Sequence, residues 1–353
     1  MFPEKIYFGD TIIGSDKPSV FLPEIGVLFG QDVDLALSHI QQISEAKCPI
    51  IKGELYHNAN IVHRDADLHY LTRDGNRTVN YREFVERTVL PFEKWDEIFS
   101  ACHRLGLHTI VSAYDIEGVN FLGEIGVDCV KIASPHVINV PLLRAAAKSK
   151  MKVMIDTGKA NIDEVIYATS ILKEAGCEEL IVNHTPDGHP CEAKDHNLLI
   201  IETYKRLFNC PIGLADHYNG TAMMMAAAAL GYSIIEKPVV PETDTDDWGA
   251  LWCMRINDLQ LVMSQITECS IARGKPRKEK RYSDLDHQGR MGIVATKNLA
   301  KGELITEDKL YGAYPMRGLS ILYWDLVVGI KARRNIGAGE PITIKDLDFG
   351  TFS

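Results

Sequence analysis

Short apolar runs alternate with longer amphipathic stretches over the first three-quarters of the chain. The runs fall at 20–26, 49–52, 108–113, 128–132, 152–156, 179–184, 211–214 and 233–237 and are rich in Val, Ile and Leu. Their apolar residues stand together instead of alternating with polar ones, the mark of strands covered on both faces. Between them, apolar residues spaced by three and four predict helices over 33–46, 92–105, 117–125, 140–149, 161–175, 195–208, 220–230 and 249–272. Strands and helices alternating eight times predict an α/β fold, a (β/α)8 TIM barrel. An open doubly wound sheet is the alternative arrangement.

Two stretches break the repeat. Residues 53–90 are too long and polar for a simple strand-to-helix connection, so they form an insertion over the top face of the barrel, where loops shape substrate pockets. Tyr56, His57, His63 and His69 lie in it, and a solvated loop is the expectation for the segment. After the last helix, the charged stretch 273–289 lacks apolar periodicity and reads as a linker. Beyond it, MGIVATKNLAKGELITEDKL and VGIKARRNIGAGEPITIKDL repeat one theme of short strand, turn, Ile-Thr strand and helix start. Two such copies predict a compact β-clip module. The expected domains are thus a barrel over 1–272, a linker over 273–289 and a small domain over 290–353.

Composition narrows the partners. A net charge of −10 argues against nucleic acid and membrane surfaces, which are bound through basic patches. No apolar run approaches the roughly 18 residues of a membrane span. The N-terminus lacks the basic and apolar regions of a secretion signal. The eight cysteines are scattered without a CxxC pair, so free thiols in a reducing cytoplasm are expected and a thiolate zinc site is not. Neither a GxGxxG nor a Walker-type loop is present, so nucleotide cofactors have no support. Trp248, Trp252 and Trp324 read as core or interface anchors.

The chemistry sits at strand ends. Lys131-Ile132-Ala133-Ser134, Ala215-Asp216-His217 and Glu236-Lys237-Pro238 each close an apolar run, and strand ends are where a TIM barrel builds its active site. Together with PEIG (23–26), DTGKANIDEVIYA (156–168), GLADHYNG (213–220) and, after the linker, NLAKGELITEDKL (298–310) and VGIKARRNI (328–336), these motifs resemble the sialic acid synthase family. Its members, which include spore coat polysaccharide synthase-like proteins, condense phosphoenolpyruvate with an N-acylated hexosamine to give nonulosonic acids, and carry a C-terminal antifreeze-like, or SAF, domain. The resemblance implies a transferase that forms a carbon–carbon bond in surface polysaccharide biosynthesis. It places Glu24 on sugar hydroxyls, Lys52, Lys131 and Ser134 on the donor, and Asp247 on the acceptor. It also implies a domain-swapped homodimer in which an arginine of one copy's small domain serves its neighbour; Tyr314-Pro315 stands at that motif, with Arg317 as the stand-in.

The resemblance further implies a divalent metal, Mn or Mg, held by two histidines, one in an S-D-H motif and one in E-K-H. The first is His217; the second position is Pro238, which has no donor. Candidate replacements are His184 and Asp216, with His189 and Asp187 as further choices. Other departures surround the expected phosphate. Asp156 and Ala215 replace serines, and Asp187 replaces an amide in His184-Thr185-Pro186-Asp187-Gly188-His189-Pro190. An ionised Asp about 4 Å from a phosphate is repelled by several kcal/mol unless a cation or a proton intervenes. A phosphate-free aldolase, lyase or isomerase, with Lys131 or Lys52 as a Schiff base and Asp156 or His217 moving protons, is therefore the alternative. Glu236 is expected in the substrate pocket in either case. A carbohydrate-binding homologue without catalysis is the third reading.

Overall fold

The computed structural model describes residues 2–72, 74–240, 251–278 and 288–350. Asp247, the acidic stretch around it, Trp248 and most of the linker lie outside the described residues. Two compact units divide between Gly274 and Lys275.

The first unit is the barrel. Its strands are β1 (Val20–Gly26), β2 (Ile50–Glu54), β3 (His108–Ser112), β4 (Cys129–Ile132), β5 (Lys152–Asp156), β6 (Leu180–His184), β7 (Ile212–Ala215) and β8 (Ile234–Val240). Each pairs in parallel with the next, and β8 pairs with β1, so the sheet closes. The helices are α1 (Val33–Glu45), α2 (Phe92–Arg104), α3 (Ile116–Glu124), α4 (Val140–Lys148), α5 (Ile162–Glu174), α6 (Ile200–Phe208), α7 (Ala222–Leu230) and α8 (Leu259–Ala272). Their starts follow local chemistry: Asp32, Asp115 and Asn139 cap α1, α3 and α4, and Asn161 forms a reciprocal capping box with Glu164 on α5. Two helices are shorter than predicted. A 3-10 turn at Ala193–Asp195 precedes α6, and a short bridge and 3-10 turn over 254–258 precede α8. No helix among the described residues is long and apolar enough to cross a membrane.

Period-two alternation sorts each strand between two environments. Phe21, Ile51, Val111, Val130, Val153, Val182, Leu214 and Ile235 join the layer packed on the helices. Leu22, Ile50, Ile110, Cys129, Met154, Ile181 and Ile234 form a separate inner cluster with Ile6, Phe8 and Ile13. Those last three come from an N-terminal hairpin, Lys5–Phe8 with Thr11–Gly14; they fill the lower end of the barrel with hydrocarbon. Two residues further along each strand, on the same inner face, stand Glu24, Lys52, Ser112, Lys131, Asp156, Asn183 and Glu236. The inner face thus changes from an apolar plug to a polar layer in a single step.

The insertion differs from the expected solvated loop. Asp67–Thr72 and Gly75–Asn80 form an antiparallel hairpin, and a helix over Tyr81–Glu86 follows, capped by Asn80. Ala59, Val62 and Val85 make its own small core.

In the second unit, Gly292–Ala295 pairs with Leu310–Ala313, and Lys331–Ala332 pairs with Leu347–Asp348. Leu299 and Ile336, at matching points of the two repeats, exchange backbone hydrogen bonds of 2.8 and 2.9 Å. The repeats therefore pair around one core that includes Ile293, Ile305, Ile336 and Ile342.

Gly213 takes the inward place on β7 opposite Asn183. A Cβ there would collide with the Asn183 carboxamide and come within 2.7 Å of Ile234 Cγ2. Gly213→Ala should cost about 1–3 kcal/mol through overpacking, read by urea denaturation; an unchanged midpoint would show that the barrel wall yields freely.

Candidate active site

The polar layer is the floor of a cavity of about 450 Å³ at the C-terminal ends of the strands. Lys131 is its central cation. Its Nζ donates to both oxygens of Glu236 at 2.6 and 2.7 Å and lies 2.8 Å from Asp156 Oδ2. Lys52 contacts Glu24 and donates to Glu54 Oε1 at 2.9 Å, with Glu236 Oε1 at 3.7 Å. Asn183 ties the acids together, its Nδ2 donating to Asp156 at 2.9 Å and Glu236 at 3.1 Å. These groups are almost fully enclosed: Lys131 is 1% exposed, Lys52 and Glu236 2%.

Four carboxylates, Glu24, Glu54, Asp156 and Glu236, thus face two lysines. Burial alone would lower Lys52, but Glu24, Glu54 and Glu236 reverse that and hold its ammonium well above the usual lysine value. Burial likewise works against the Lys131 charge, and Asp156 and Glu236 raise it. The expected Schiff-base role requires a free amine, so this environment disfavours it for both lysines. The acids split. Burial, reinforced by Glu236 and Glu54 against Lys52, pushes Glu24 up to about 8. Burial also raises Asp156. Glu236, though desolvated, is held below the usual range by Lys131 and Lys52. A neutral acid and a persistent carboxylate within one layer can donate a proton and anchor a cation, respectively.

One wall comes from the insertion. Tyr56, Ile61, Val62, His63, Ala66 and Tyr81 line the cavity. Tyr56 stacks on Tyr114 with ring centroids 4.5 Å apart, and the Tyr114 hydroxyl donates to Glu54 at 3.0 Å. An aromatic face beside ionisable groups suits a sugar, which presents apolar C–H faces and polar edges. His57 and His69 are engaged elsewhere, with Asp115 and Thr78.

The other expected residues divide. Ser134 lines the cavity, its Oγ accepting from the Gly158 amide at 3.0 Å. His189 and His217 line it too, with ring centroids 4.0 Å apart. Asp187 does not: it is exposed, pairs with Lys159 and borders an outer groove. Arg317 is an exposed residue of the second unit. The metal set of His217, His184 and Asp216 does not gather. His184 Nε2 is bound to the His196 carbonyl at 2.7 Å. Asp216 is occupied by His196 at 3.1 Å, the Tyr218 amide at 3.0 Å and Lys237 at 2.8 Å. Among the described residues, no three His, Cys, Asp or Glu side chains form a group that could hold a metal ion. Sequence reasoning missed Glu54, Tyr114 and Asn183. The two-residue step from Ile181 to Asn183 on β6 was the available signal for the last.

Comparison with known proteins follows the same lines. Residues 39–278 match the NeuB family and residues 290–348 the SAF domain. The chain is 24% identical to N,N'-diacetyllegionaminic acid synthase of Campylobacter jejuni, over 92% of this chain and 99% of that protein. It is 22% identical to pseudaminic acid synthase of Helicobacter pylori, over 94% and 98%. The crystal structure of N-acetylneuraminic acid (sialic acid) synthetase from Leptospira borgpetersenii superimposes with a TM-score of 0.71 at 25% identity, covering 80% of this chain and 95% of that one.

The raised Glu24 pKa links stability to pH. The folded chain keeps a proton that the unfolded chain releases above about 4.5, so Glu24 removes stability progressively as pH rises from there to about 8. Glu24→Gln lacks this loss. Urea unfolding at pH 5 and pH 8 should show the difference between variant and wild type moving in the variant's favour at the higher pH; a pH-independent difference would mean Glu24 is ionised in the fold.

Proposed function

The chain belongs to the NeuB family, and on that premise we propose that it joins a three-carbon enol donor, phosphoenolpyruvate, to the aldehyde carbon of an acylamino sugar, giving a nonulosonic acid. The observation that carries this reading is the buried layer of Glu24, Lys52, Lys131, Asp156 and Glu236 beneath a cavity with an aromatic wall. A volume of about 450 Å³ lies within the ordinary range for a small-molecule site.

The donor's methylene carbon attacks the aldehyde, whose oxygen must gain a proton as the carbon–carbon bond forms. Water then adds at the donor's phosphate-bearing carbon, and inorganic phosphate leaves. Glu24, whose pKa burial pushes up to about 8, gives the aldehyde oxygen its proton in this reading. Lys52 and Lys131 supply the cations for the donor's carboxylate and phosphate. With Glu24 protonated, one negative charge fewer faces the cavity, which lowers the repulsion an anionic donor meets.

One observation favours a second reading, the same bond formation with an unphosphorylated donor such as pyruvate. Asp156 and Glu236 already occupy Lys131, so a phosphate must displace a carboxylate to reach it. Incubation with phosphoenolpyruvate or pyruvate, an N-acylhexosamine panel and Mn²⁺ separates the two by mass spectrometry and phosphate assay. The proposal expects a nonulosonate and equimolar phosphate from phosphoenolpyruvate, and about tenfold tighter phosphoenolpyruvate binding by Asp156→Ser. Product from pyruvate alone would favour the second reading; no product from either donor would contradict both.

A further inference from the structure

We propose that His189 and His217 together form a two-imidazole site for a divalent transition metal, His189 supplying the ligand that Pro238 cannot. The proposal rests on the synthase reading only for its use in catalysis; the site itself follows from the side chains gathered there.

The two rings lie with centroids 4.0 Å apart and planes inclined by 40°. Both line the cavity above the polar layer and also a recess of about 80 Å³ shared with Glu24, Glu54 and Pro238. His217 Nδ1 is buried and has no hydrogen-bond partner among the described residues. Leaving a buried nitrogen without a partner is unfavourable, and a metal would use its lone pair. Trp252 packs edge-on against both rings, at 5.4 Å from His189 and 6.5 Å from His217, which restricts their reorientation.

Charge points the same way. Glu24, Glu54, Asp156 and Glu236 outnumber Lys52 and Lys131 in the cavity lining, so a cation there meets more carboxyl oxygens than ammonium groups. Imidazole nitrogen beside carboxylate oxygen suits Mn²⁺, Fe²⁺, Co²⁺ or Zn²⁺ better than Mg²⁺, which prefers an all-oxygen shell. Such an ion would supply Lewis-acid polarisation of a substrate carbonyl. With two protein ligands, its remaining positions fall to water and substrate oxygens.

The test uses the metal-stripped full chain without sugar or donor, titrated with Co²⁺ while the visible absorption is recorded, and with Mn²⁺ by calorimetry. The proposal expects one equivalent bound, affinity lowered at least tenfold in His189→Tyr and in His217→Ala, and affinity regained in His189→Tyr/Pro238→His. Circular dichroism of each variant checks that it is folded. Unchanged Co²⁺ affinity and spectrum in folded His189→Tyr would overturn the proposal, as would no binding by the wild type at millimolar metal. Substrates are absent, so a chain that binds Co²⁺ through both histidines but makes no nonulosonate would retain this site and lose the synthase reading.

Discussion

Lys131, held between Asp156 and Glu236, is the interaction on which the barrel interior depends. A charge at 1% exposure cannot stand alone, because several kcal/mol of desolvation must be offset by close opposite charge and hydrogen bonds. The three side chains come from β4, β5 and β8, so satisfying one cation fixes three strands of the ring relative to each other. Asn183 extends the constraint to β6 through both acids, and Gly213 leaves the space on β7 that Asn183 fills. The polar layer is at once the least forgiving part of the core and the floor of the cavity.

The layer can exist because of what lies beneath it. The N-terminal hairpin places Ile6, Phe8 and Ile13 under the inner residues of seven strands, excluding water from below and leaving the cavity as the open side. The same dryness separates the acids: Glu24 is pushed toward its neutral form and Glu236 is kept ionised by the lysines. Proton donor and cation anchor therefore arise from one residue type in two electrostatic surroundings. The insertion completes the enclosure with Tyr56 and Tyr81, which neither the strands nor the helices of a minimal barrel would supply.

Much of this was legible in the chain. The eight buried strands announced themselves as unbroken apolar runs, and Glu24, Lys52, Lys131 and Glu236 stood at or near their ends. Asn183 escaped notice because an amide inside an apolar run is unremarkable until the two-residue step from plug to polar layer is seen in the other strands that carry it. Glu54 closes β2 and Tyr114 lies two residues beyond β3, at the strand-to-loop turn where sequence cannot say which way the chain points. Asp187 was placed near the donor by resemblance, yet its loop carries it out to Lys159. His184 and Asp216 had the right donor atoms; their prior hydrogen bonds, invisible in sequence, use those atoms elsewhere. Pro238 was read as a lost ligand from the sequence alone, whereas the contact of His189 with His217 needed the folded loop after β6.

The direct measurement of this account is the unfolding free energy of Lys131→Met at pH 8. The side chain is similar in length and carries no charge, so the substitution strands Asp156 and Glu236 in a dry interior. Breaking a buried pair from one side typically costs about 3–5 kcal/mol; the account predicts a loss of that size, shrinking toward pH 5 as the stranded carboxyls take up protons. A loss below about 0.5 kcal/mol at pH 8 would contradict the claim that this cation organises the barrel interior.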